Sequence, residues 1–86
     1  MDKSKTYKAE QLKQLGDRIK LFRKKAGYSS SEKFAYDKGL NRSQYGKYEV
    51  GVNMRFDSLL KILRALDVTP AEFFSEGFEI TEEIED

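Results

Sequence analysis

The sequence contains no cysteine and no histidine. Without cysteine there are no disulfides, thiolate metal ligands or thiol nucleophiles. Without histidine there is no imidazole acid–base catalysis, no Ser-His triad and no supply of the commonest zinc ligand. Carboxylates, lysine and tyrosine remain, and no arrangement of them reads as an active site. The expectation is therefore a protein that is not an enzyme and needs no cofactor or metal. Long apolar runs are missing too: nothing approaches the roughly 18 residues of a membrane-spanning helix. Met1 to Lys8 are polar and basic without an apolar stretch, which argues against a secretory signal and for a cytoplasmic protein.

What is present is a chain of 86 residues, enough for one compact domain with one modest core. Its formal net charge is only +1, but the average hides an asymmetry. Residues 1–55 carry 14 Lys/Arg against 6 Asp/Glu, a balance of +8, whereas residues 56–86 carry 2 against 9, a balance of −7. A chain so polarised can turn a basic face to phosphates and point its acidic end away. Uneven charge on a solvated surface would look the same, so charge alone does not decide.

Residues 1–8 read as a flexible basic N-terminal arm. From Ala9 the pattern changes, and Leu12, Leu15, Ile19, Phe22 and Ala26 recur at helical spacing. Lys24 and Lys25 followed by Gly27 make a good helix end. Ser29, Ser30 and Ser31 are all possible N-caps of a short second helix over about Ser31 to Lys38 that buries Phe34 and Ala35. Gly39 breaks it. Asn41 then caps a third helix, about Arg42 to Val50, with Tyr45 and Tyr48 on one face. After a loop over 51–55, Phe56, Leu59, Leu60, Leu63 and Leu66 mark a fourth helix that closes at Asp67-Val68. Thr69, Pro70 and Glu72 start a fifth, with Thr69 as cap and Pro70 in the first turn. Phe73 and Phe74 give it an apolar side. Residues 76–86 form an acidic tail in which Phe78 and Ile80 alternate as in a short strand, although a frayed end is the preferred reading.

Two short helices joined by a Gly-containing turn and followed by packing helices outline a helix-turn-helix. The order of residues goes further. Leu15-Gly16-Asp17-Arg18-Ile19-Lys20 with Phe22-Arg23, then Phe34-Ala35, Gly39-Leu40-Asn41-Arg42-Ser43 and Tyr48-Glu49-Val50-Gly51, resemble the phage-repressor and Cro type of helix-turn-helix, the XRE family. Leu59 to Pro70 with Phe73-Phe74 resembles that family's last two helices, and the likeness covers about residues 12–75. It implies an all-α, five-helix, lambda-repressor-like DNA-binding domain over residues 9–75, acting as a transcriptional regulator on double-stranded DNA.

The resemblance also implies roles. The equivalents of Arg42, Ser43 and Lys47 reach base edges or flanking phosphates in the major groove, and Gln44 would read adenine or else serve the helix cap. Ser31 stands where the family often has a phosphate-contacting Gln, a departure that weakens one backbone contact. Lys33, Tyr36, Asn53 and Arg55 are further phosphate candidates. Gly46, inside a helix, implies either close approach to DNA or relief against the first helix. Arg23 and Glu49 correspond to a buried structural ion pair. Relatives pair through their C-terminal helix or an added domain, so Phe73, Phe74, Phe78 and Ile80 are the expected interface of a homodimer. A module of the same fold that binds a protein through the acidic tail, as an antitoxin-like or coactivator protein would, is the alternative.

Overall fold

A computed structural model describes residues 3–79 of the chain. Five helices follow one another: α1 Lys3–Lys25, α2 Ser31–Asp37, α3 Arg42–Glu49, α4 Phe56–Leu66 and α5 Pro70–Phe73. No strand is found among the described residues.

α1 is the long element, 23 residues and so about 34 Å. It corrects the expected arm: residues 3–8 are the first turns of this helix, because no Gly or Pro separates them from the apolar stripe that begins at Leu12. Met1 and Asp2 lie outside the described residues. Arg23, Lys24 and Lys25 close α1, where cations suit the partial negative charge of a helix C-terminus.

The first four helices stop in the same way. In each, an amide two or three residues past the helix end bonds back to a carbonyl five residues earlier: Tyr28 to Arg23, Leu40 to Ala35, Val52 to Lys47 and Val68 to Leu63. The motif needs a left-handed residue just after the helix. Glycine supplies it after the first three; after α4 it is Asp67, at φ 59° and ψ 46°. Aspartate is among the few side chains that tolerate this region. At each helix start except α1 and α4, a short polar side chain accepts a backbone N–H: Ser30 from Lys33, Asn41 from Gln44 and Thr69 from Glu72. Of the three candidate serines, Ser30 is thus the cap.

These ends bring one apolar face of each helix to a shared core of Ile19, Phe22, Phe34, Ala35, Tyr45, Tyr48, Leu59, Ile62, Leu63, Leu66 and Phe73. The α1 stripe enters it only in part, since Leu12 and Leu15 are half-buried and Ala26 is exposed. Phe56 and Leu60 likewise stay exposed, and Ile62 takes their place in the core. Phe73 is fully buried, which removes it from the expected dimer surface: its ring stacks on Phe22 at 5.9 Å.

The start of the acidic tail is docked. Phe78 packs on Phe73 and Phe74, and the Gln14 side chain brackets Glu79 by accepting from its N–H at 2.6 Å and donating to its carbonyl at 2.9 Å. Gln11 donates to the same carbonyl at 2.9 Å. Up to Glu79 the segment is neither a strand nor a frayed end; Ile80 and the rest of the tail lie outside the described residues.

Candidate nucleic-acid interface

α2 and α3 pack together through the turn Lys38-Gly39-Leu40, where Gly39 sits at φ 70°. Half-buried Leu40 pins the turn to the core. α3 is only eight residues long, too short to be stable by itself, so its position comes from what its inner face touches. Tyr45, Tyr48 and Glu49 are that inner face.

Three features lock it. The first is the expected ion pair. Arg23 donates through Nε to Glu49 Oε2 at 2.8 Å and through a terminal nitrogen to Oε1 at 3.1 Å, a two-pronged contact. Its other terminal nitrogen donates to the Tyr28 carbonyl at 2.7 Å. The two residues are 3% and 8% exposed, and the hydrogen bonds that Arg23 donates to Glu49 hold the guanidinium above its ordinary pKa. The second is Tyr45, whose ring tilts on Phe34 at 5.2 Å. Its hydroxyl is buried without a hydrogen-bond partner. Burial first, and the Glu49 carboxylate second, push this phenol far above its usual pKa. It therefore reaches neither solvent nor phosphate.

The third lock is a residue to which the resemblance assigned no role. Gly16 of α1 lies against the last turn of α3, where a Cβ would fall 2.5 Å from the Glu49 carbonyl oxygen and 2.7 Å from that of Tyr48. The two helices approach backbone to backbone. Gly46 is the opposite case: a Cβ there would meet nothing within 4 Å, so relief against the first helix does not explain it.

With the inner face held, Arg42, Ser43, Gln44 and Lys47 are all exposed on α3. Arg42 and Lys47 make no ion pair among the described residues. Gln44 lends the cap only its backbone N–H, bonded to Asn41 Oδ1 at 2.8 Å, so its side chain is not spent there. Ser43, Gln44 and Lys47 line one shallow depression with Asn53 and Val52 from the loop that follows. Arg42 lies outside it.

The remaining phosphate candidates are less free. Lys33 pairs with Asp37 at 3.4 Å and Arg55 with Asp57 at 3.1 Å, both on the surface. Asp37 also accepts from the Tyr28 hydroxyl at 3.1 Å, which raises that phenol's pKa. Ser31 is half-buried in the first turn of α2, and Tyr36 is well exposed.

One buried cation had no role assigned from the sequence. Arg18 donates from Nε to the Phe73 carbonyl at 2.8 Å and from a terminal nitrogen to the Glu72 carbonyl at 3.2 Å, and sits 4.6 Å from the Phe22 ring centre. It satisfies the Phe73 carbonyl, adds a donor to the Glu72 carbonyl that Ser75 also bonds, and ties α5 to α1.

Nothing in this arrangement gathers metal ligands: among the described residues no group of three or more Asp or Glu side chains could hold an ion. No described helix is long and apolar enough to cross a membrane. Comparison with curated proteins and with solved structures gave no match. The helix-turn-helix family model does match, over residues 19–73, from the middle of α1 through α5. More than half of the sequence is covered, and the chain belongs to this helix-turn-helix family of XRE-type DNA-binding regulators.

Proposed function

We propose that this domain binds duplex DNA sequence-specifically as a small transcriptional repressor in the cytoplasm, with α3 laid in the major groove. The observation that carries this reading is the division of α3 into two faces. Tyr45, Tyr48 and Glu49 are buried and clamped, while Arg42, Ser43, Gln44 and Lys47 stand exposed, their side chains with no competing partner among the described residues. Arg and Lys favour guanine O6 and N7, Gln favours adenine N6 and N7, and Ser43 is short enough to let the helix come close. Occupation of an operator is all that repression requires.

One α3 reads only a few base pairs, so specificity calls for a second copy about 34–36 Å away on the same face of the DNA. An apolar depression of about 450 Å³ between Leu12, Leu15, Met54, Phe56, Phe74 and Phe78 supports a homodimer. Phe56 and Phe74, 60% and 44% exposed there, are the side chains a second copy would cover. Sedimentation at high protein concentration tests this part, and a persistent monomer refutes it.

The main reading is tested by selecting bound duplexes from a random-sequence pool at two salt concentrations. The expected result is an enriched palindrome with half-sites about one helical turn apart. Weak, unenriched and steeply salt-dependent binding would reduce the activity to generic phosphate attraction. No binding would favour a protein partner.

A further inference from the structure

Residues 56–86 hold only two cations, Lys61 and Arg64, among nine carboxylates. Both lie on the same face of α4, three residues and about 4.5 Å apart along the axis. Neither makes an ion pair among the described residues, in contrast to Lys13, Lys33 and Arg55, which each hold a neighbouring Asp. They open onto two adjoining depressions that meet at Gly39, Leu40 and Lys61, beside the turn of the helix-turn-helix. Lys38 and Arg64 line the outer one. The inner one runs from Lys61 and Ser58 to Asn41 and Gln44 at the start of α3, where it meets the depression holding Lys47 and Asn53. No Asp or Glu lines any of the three.

A helix in the major groove, about 12 Å wide, has a phosphate strand on either side. α3 is flanked by α2, with Ser31 and Lys33, and by α4. On the α4 side the three joined depressions, from Asn53 in the loop after α3 to Lys61 and Arg64, are lined by no carboxylate. We infer that Lys61 and Arg64 form a second phosphate clamp, gripping the strand on the α4 side of the groove while the start of α2 meets the other. The inference rests on the DNA-binding reading and adds to it the residues that hold the second strand. Gripping phosphates, these cations set affinity and register and carry no base preference of their own.

The test is equilibrium binding of the full chain to an enriched duplex over a range of salt, for the unaltered protein and for Lys61→Gln plus Arg64→Gln. Glutamine keeps a polar stem and removes the charge. A second pair, Lys20→Gln plus Lys24→Gln on the outer face of α1, removes the same charge elsewhere. Each phosphate contact contributes about 0.9 to the slope of log K against log salt, so the α4 pair should make the slope shallower by about 1.8 with base preference unchanged. The α1 pair should alter it by less than about half a unit. An unchanged slope in the α4 pair, with the unaltered protein still binding its enriched duplex, overturns the clamp and leaves the α3 reading standing. Equal effects from both pairs overturn it as well, because net charge then explains everything. Failure of the unaltered protein to bind any duplex removes both readings. Thermal melting of each pair confirms that a lost contact is not a lost fold.

Discussion

Gly16→Ala should be among the most damaging single-methyl changes in the molecule, although the residue touches no nucleic acid in this account. The added Cβ would stand 2.5 and 2.7 Å from two backbone carbonyl oxygens and 2.8 Å from the Glu49 carbonyl carbon, where ordinary contact begins near 3.4 Å. Backbone atoms cannot rotate aside as a side-chain tip can, so α1 and α3 must separate by several tenths of an ångström or more. Overpacking of this kind costs about 1–3 kcal/mol, and the backbone contacts put it at the upper end. Alanine returns about 1 kcal/mol of helix propensity. The net loss is about 2 kcal/mol, a shift of roughly 8–16 °C in melting temperature for a domain of this size. Gly46→Ala supplies the control. Its Cβ meets open space, so the same propensity gain acts alone and the melting temperature should rise by about 4–8 °C. Thermal unfolding followed by far-ultraviolet circular dichroism measures both. A Gly16→Ala protein as stable as the parent would refute the close backbone approach of α1 to α3 and the account of how α3 is held.

Other expectations follow from the same packing. Arg23→Ala leaves a buried, uncompensated Glu49 and should cost about 3–5 kcal/mol in denaturant unfolding; a loss below about 1 kcal/mol would mean the pair is solvated. Tyr45→Phe removes a buried hydroxyl that has no partner, so it should be neutral or stabilising by up to about 1 kcal/mol at neutral pH, and a clear destabilisation would show that the hydroxyl bonds to Glu49. The folded-state pKa of Tyr45 is raised, so its contribution is fully present below the unfolded phenol value of about 10 and is lost as pH climbs above it. The parent should therefore lose stability above about pH 10 more steeply than Tyr45→Phe, by up to about 1.4 kcal/mol per pH unit. Arg18→Ala leaves the buried Phe73 carbonyl without its donor, weakens the bonding of the Glu72 carbonyl and should cost about 2 kcal/mol, with early loss of protection at the α5 amides in hydrogen exchange.

How much of this was readable beforehand depended on how local each cause was. The ends of α2 and α3 and the start of α5 were legible because Ser30, Gly39, Asn41, Gly51, Thr69 and Pro70 act within four residues of themselves. The start of α1 was misread for the converse reason, since residues 3–8 carry no stop signal and a run of polar residues resembles an arm. Arg18 could not be assigned, because its partners are backbone carbonyls more than fifty positions away and any side chain could have supplied them. Phe73 and Phe74 are adjacent, and only the seating of α5 on Phe22 decides that the first is core and the second exposed. The exposed set on α3 was legible because Tyr45 and Tyr48 define the inner face of so short a helix. The same reasoning passed over Lys61 and Arg64, which take on meaning only when α4 is seen beside the turn.

The central claim, that the exposed face of α3 reads DNA, is met most directly by comparing Arg42→Ala plus Lys47→Ala with the parent on an enriched duplex and on a scrambled one. Each lost base contact is worth about 1–3 kcal/mol, so affinity for the enriched duplex should fall by roughly 30-fold or more while affinity for the scrambled duplex falls far less, with melting temperature little changed. Equal losses on both duplexes, or none on either, would contradict the claim.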